Sequence, residues 1–134
     1  MTVVFLIAAI AFGVVVLGLI GWIGKKQFGH GEKYFHERWM DLLTRVRTPE
    51  GMILAVIDAD KLLDEALRRK HFKGKTTGER LVAAQRAISD NDAVWYAHKL
   101  RNRLVHEPNV RLKKREAQNA LAGFRQCLKD LGTL

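Results

Sequence analysis

The stretch WYAHKLRNRLVHEPN, residues 95–109, decides how the rest of the chain is read. It shows no strand-like alternation, and stepping about 100° per residue from Leu100 separates two faces of a helix. Ala93, Tyr96, Ala97 and Leu104 fall within about 60° of Leu100 and define a core side. Trp95, His98, Asn102 and His106 gather on the opposite side, flanked by Arg101 and Val105. Pro108 cannot continue a helix, so the segment ends just after His106. A Trp and a Val beside polar groups on the outward face predict a second surface that covers them, such as a dimer interface.

Working outward, the same period recurs on both sides. Phe35, Trp39, Leu42, Leu43 and Val46 predict a helix from about Glu32 to Arg47. Thr48-Pro49-Glu50 then offers an N-cap, a proline at the first helical position and an acid in the first turn, opening a helix to about Lys70. Residues 71–75 break it. Thr76-Thr77-Gly78-Glu79 reads as a capping box for a third helix bearing Leu81, Val82, Ala84 and Ile88. The GKT at 74–76 is no phosphate-binding loop, because Arg69 stands where that motif needs its first glycine and a helix precedes it. Ser89-Asp90-Asn91-Asp92 is a turn and cap that opens the fourth helix, from about Asp92 to Glu107. A fifth runs from about Leu112 to Leu131, with Ala117, Leu121, Phe124, Leu128 and Leu131 buried and Gly132 as its C-terminal cap. The fold expected is all-α, a bundle of four or five helices over residues 32–134.

The chain begins differently. Residues 2–24 carry no charge and read VVFLIAAIAFGVVVLGLIGWIG from Val3 onward. About 20 apolar residues suffice to cross a bilayer as a helix. No basic residue precedes the run, whereas Trp22, Lys25 and Lys26 follow it, the pattern of an uncleaved anchor rather than a signal peptide. Residues 25–31, KKQFGHG, predict a linker. All 23 Lys and Arg lie beyond the apolar segment, which places the N-terminus outside and the bundle in the cytoplasm. The single cysteine, Cys127, permits no internal disulfide and agrees with a reducing compartment. The net charge of +9 suits anionic lipid headgroups or nucleic acid phosphates and does not separate the two.

Two further features bear on a site. Asp60 and Asp64 fall inside the apolar arc of Ile53, Val56, Ile57, Leu63 and Leu67, and a carboxylate in a bundle interior needs a partner. Arg101 or a neighbouring base is the natural one if the second and fourth helices pack together; pairing with Lys61 or Arg68 at the surface is the plainer alternative. No other hard ligands stand at helical spacing, so a two-Asp metal site is not expected. Arg111, Lys113, Lys114 and Arg115 form a basic patch just after Pro108 that could hold an RNA backbone. The residues 68–75, RRKHFKGK, form a second basic stretch.

With the segment placed on the penultimate helix of a small bundle, WYAHKLRNRLVHEPN resembles the HEPN superfamily. That family's signature is an arginine, four to six residues and a histidine, with a polar residue directly after the arginine; Arg101, Asn102 and His106 match it with four residues between. The resemblance covers roughly residues 33–132 and leaves the apolar segment outside. It implies a metal-independent RNA endonuclease, free of cofactors, with two motif copies brought together across a homodimer. The RNA's 2′-hydroxyl would attack the adjacent phosphate, leaving a 2′,3′-cyclic phosphate. His106 would transfer protons, Arg101 would neutralise phosphoryl charge and Asn102 would orient one of them, with His98 as an auxiliary. A toxin, defence or RNA-processing role follows, and a toxin would bring an antitoxin or regulatory protein as partner. The alternative is a non-catalytic HEPN module binding nucleotide, RNA or a protein at the membrane; a third is a scaffold whose basic surface binds only lipid. The plainest reading leaves Arg101 and Asn102 as surface solvation and His106 as a cap at the helix end, near the negative pole of its dipole.

Overall fold

A computed structural model covers residues 1–134 and describes all of them except the side chains at 26–30. Its described residues form the helices α1 (Thr2–Thr44), α2 (Pro49–Arg69), α3 (Thr77–Ala84), α4 (Asn91–His106) and α5 (Lys114–Asp130), and among them there is no strand. Two compact units divide the chain, Met1–Lys33 and Tyr34–Leu134. The first is helical throughout, and its Thr2–Lys25 segment is long and apolar enough to cross a membrane, with none of it buried against protein. The helix continues through 25–31, where the glycines predict a linker, so that stretch is helical backbone. The side-chain character expected of the linker at 26–30 lies outside the described residues.

In the second unit, α2, α4 and α5 pack on one another, with α3 against α2. Phe35, Trp39 and Leu42 from the end of α1 join the same core as Val56, Leu63 and Leu67 of α2 and Phe124 and Leu128 of α5. The α5 stripe is buried as its spacing predicts. On α3 the prediction is only partly right: Leu81 and Ala84 are buried and Val82 faces outward, while Ile88 is buried but lies beyond the end of the helix at Ala84. With partners on one side alone, a two-turn helix buries only a narrow stripe.

Helix ends follow local chemistry closely. Thr48 Oγ1 accepts from Gly51 N at 3.0 Å ahead of Pro49. Thr76 Oγ1 accepts from Glu79 N at 3.2 Å, but Glu79 Oε2 accepts in return from the amide of Lys75 rather than Thr76, one residue earlier than a capping box requires. His71 closes α2 at φ 63 and Gly132 closes α5 at φ 67; in both, the next amide reaches back into the last turn, as in Schellman ends. Glu107 is extended, which the following proline imposes, and α4 ends there.

Helices α4 and α5 approach each other closely. A Cβ on Gly123 would lie 2.5 Å from the Ala93 carbonyl oxygen, which only a glycine allows. Replacing Gly123 by Ala must therefore part the two helices. Chemical denaturation of Gly123→Ala should show a loss of about 1–3 kcal/mol, against the small gain that Gly→Ala normally brings in a helix.

Candidate functional site

Asp60 sits in the middle of α2 with 1 % of its surface exposed, facing α4. Burying a carboxylate is costly unless charge and hydrogen bonds compensate it. Both partners come from α4. His98 Nδ1 lies 2.7 Å from Asp60 Oδ1, and Arg101 Nε lies 3.3 Å from Asp60 Oδ2. The Arg101 contact is an ion pair without hydrogen-bond alignment. Arg101 Nη1 donates to Asn102 Oδ1 at 2.9 Å, and Asn102 Nδ2 lies 3.4 Å from His98 Nε2. The four side chains thus close a ring: Asp60, His98, Asn102, Arg101 and back to Asp60.

Two neighbours roof this ring. Trp95 stands edge-on to the His98 ring, with centroids 5.8 Å apart. Gly78, in the first turn of α3, lies above both; a Cβ there would be 3.6 Å from Trp95 Cη2 and 3.7 Å from His98 Nε2. The side chain of Arg101 keeps 25 % exposure, so its outer edge reaches the surface.

The outward stripe expected on α4 needs correction. His98 is 8 % exposed and buried, and Trp95 is half-buried against the core, while Tyr96, placed on the core side, is 40 % exposed. The cause is that α4 packs against α2 as well as α5. The buried arc of Val94, Ala97, His98 and Leu100 is centred between Ala97 and Arg101, about 80° round the axis from Leu100. The covering of Trp95 comes from the same chain and calls for no second copy. Val105, at 47 % exposed, remains bare.

His106, by contrast, is exposed on the last turn of α4, one turn beyond Asn102, and none of the side-chain hydrogen bonds among the described residues involves it. Arg111, Lys113, Lys114 and Arg115 are exposed, and Lys113 N donates to Glu116 Oε2 at 3.0 Å as α5 opens. Lys114 also edges an apolar cavity of about 250 Å³ with Leu43, Val46, Met52 and Leu121. The structure brings together Arg101, Asn102, His98 and Asp60 of the expected site, and leaves His106 and the basic patch alongside.

Asp64 belongs to a separate network one turn along α2. It accepts from Arg68, from Arg80 Nε at 2.9 Å and from Thr77 Oγ1 at 3.0 Å, and Arg80 Nη1 also donates to Gly74 O. Sequence reasoning left Asp64 between an interior place and a surface pairing with Lys61 or Arg68, and missed Arg80, which is itself buried. Its signal was available: Arg80 precedes Ala84 by one turn on the inner side of α3. Cys127 is buried, and that burial, with the charge of Asp130, pushes its thiol up to about 12, so it offers no nucleophile. No group of three or more metal-ligating side chains occurs among the described residues. Comparison with protein families, with curated proteins and with solved structures found no match to the chain.

Burial alone would raise the Asp64 carboxyl, but the hydrogen bonds from Arg68, Arg80 and Thr77 outweigh it and hold it below its ordinary 3.8. A depressed carboxylate lends stability above its unfolded value and loses it as pH falls through the folded one. Asp130 is also lowered: Ser89 and Gln126 outweigh its burial. Acid unfolding followed by circular dichroism should therefore be less steep below pH about 4 in Asp64→Asn than in the wild type, with the Asp130 share remaining.

Proposed function

We propose that the chain is a membrane-anchored endoribonuclease of the HEPN kind, working without metal at a site completed by a second copy. The observation that carries this is the buried Asp60 carboxylate holding Arg101 from behind, while the outer edge of that guanidinium stays at the surface. A fixed guanidinium beside a basic helix end suits a phosphodiester, whose developing charge it neutralises without reorganisation. The exposed imidazole of His106 stands one turn further along the same helix, within the reach of a bound RNA strand.

In the reaction, the 2′-hydroxyl attacks the adjacent phosphorus and the bond from phosphorus to the 5′-oxygen breaks. The 2′ proton passes to one imidazole, and the departing 5′-oxygen takes a proton from another. The His106 of each copy in a homodimer would divide these two roles. Arg111, Lys113, Lys114 and Arg115 would hold the RNA backbone leading away from the site. The helix Thr2–Lys25 would anchor the protein in the bilayer, with Lys25 and Lys33 on the cytoplasmic side. A toxin or defence role would add an antitoxin or regulatory protein to its partners.

The second reading, a HEPN module that binds nucleotide, RNA or protein without cleaving, is favoured by one observation: no described hydrogen bond orients His106 within a single chain. The test uses full-length protein in detergent micelles on labelled RNAs with chelator present. The wild type should yield 2′,3′-cyclic phosphate ends, and Arg101→Ala and His106→Ala should each cut the rate by about a hundredfold or more. A dimeric wild type that cleaves none of a diverse RNA set defeats the nuclease reading. RNA binding that persists in that case supports the binding module, and vesicle binding alone supports a lipid scaffold.

A further inference from the structure

Arginine has donors only, and this fixes every other role in the ring. Because Arg101 Nη1 faces one end of the Asn102 amide at 2.9 Å, that end must be the oxygen. The amide nitrogen then faces His98 Nε2, so Nε2 must accept. The His98 proton therefore sits on Nδ1, where it donates to Asp60 Oδ1 at 2.7 Å. Asp60 closes the circle by attracting Arg101 Nε at 3.3 Å. Reversing any one member sets two donors or two acceptors against each other.

We infer that Asp60 and His98 are positioning residues: through this one-way ring they set the Asn102 amide and hold Arg101 so that its unused donors face an oxyanion. The ring occupies one Nη1 hydrogen and buries Nε against Asp60 as an ion pair, leaving the other Nη1 hydrogen and both on Nη2 for the ligand. His98 does not transfer protons. Its Nε2 is taken by Asn102 and roofed by Gly78 and Trp95, so no substrate atom reaches it. The ligand class, a phosphodiester oxygen, rests on the nuclease reading of Arg101; the tautomer does not.

Two measurements on the full-length protein in micelles separate these claims. Long-range proton–nitrogen spectra of histidine-labelled protein near neutral pH should show His98, assigned by its loss in His98→Asn, with Nδ1 protonated and Nε2 bare. A signal from the opposite tautomer, or from the doubly protonated ring, overturns the ring. Kinetics give the second readout. His98→Asn keeps a donor for Asp60 but removes the acceptor for Asn102, so kcat should fall about tenfold to a hundredfold. Affinity for a 2′-O-methyl RNA that cannot be cleaved should change less than about threefold, a split that plain loss of folded protein does not produce. Asp60→Asn should lower kcat in the same direction and serves in place of His98→Asn if that variant misfolds. Full kcat in both variants overturns the positioning role. A wild type with no RNase activity defeats the nuclease reading, and the spectrum then decides the ring alone.

Discussion

One buried carboxylate sets the geometry of everything around it. Asp60 is enclosed in the interface of α2 and α4, where an unpaired charge would cost several kcal/mol. His98 and Arg101 must both turn toward it, and that demand fixes the rotation of α4 about its axis. Once α4 is turned this way, Asn102 falls between the two bases and Trp95 comes to rest under Gly78. Asp64, one turn along α2, does the same for α3 by drawing in Thr77 and Arg80. Two carboxylates on one helix thus hold the two helices that build and roof the site.

Much of this was legible in the residues. Thr48-Pro49, Thr76 and Pro108 marked helix ends because their chemistry is local, and the α5 stripe was readable because α5 presents one continuous face to the core. The period put Asp60 and Asp64 in the apolar arc but left surface pairing with Lys61 or Arg68 open, and a base on α4 followed only on the condition that α2 and α4 pack together, which they do. The face of α4 did not. Leu100 lies at one edge of its buried arc, and a helix wedged between two neighbours has a core side wider than any single apolar residue indicates. Arg80 was hidden for a related reason: an arginine reads as surface until its buried acceptor is known.

The division of the chain into an apolar helical unit and a charged bundle has a physical consequence for the site. The apolar helix Thr2–Lys25 has none of its length buried against protein and carries no charge before Lys25, whereas the bundle carries most of the surplus positive charge. That surplus includes the loop and helix start after His106, where Glu107 and Glu116 stand against Arg111, Lys113, Lys114 and Arg115. Any polyanion approaching the bundle meets this end of α4 favourably, and the ring around Arg101 supplies a rigid point at which it could be held. Rigidity of the arginine and exposure of His106 are complementary features: one is provided by burial within the chain, the other is left for whatever binds.

The central claim is that Asp60 and Arg101 act as a unit. A double-mutant cycle with Asp60→Asn, Arg101→Met and the combined variant, followed by denaturant unfolding of the full-length protein in micelles, tests it directly. The two losses should fail to add, with a coupling of about 1–3 kcal/mol. Losses that add to within about 0.5 kcal/mol would show that the carboxylate does not hold the arginine and would contradict the account.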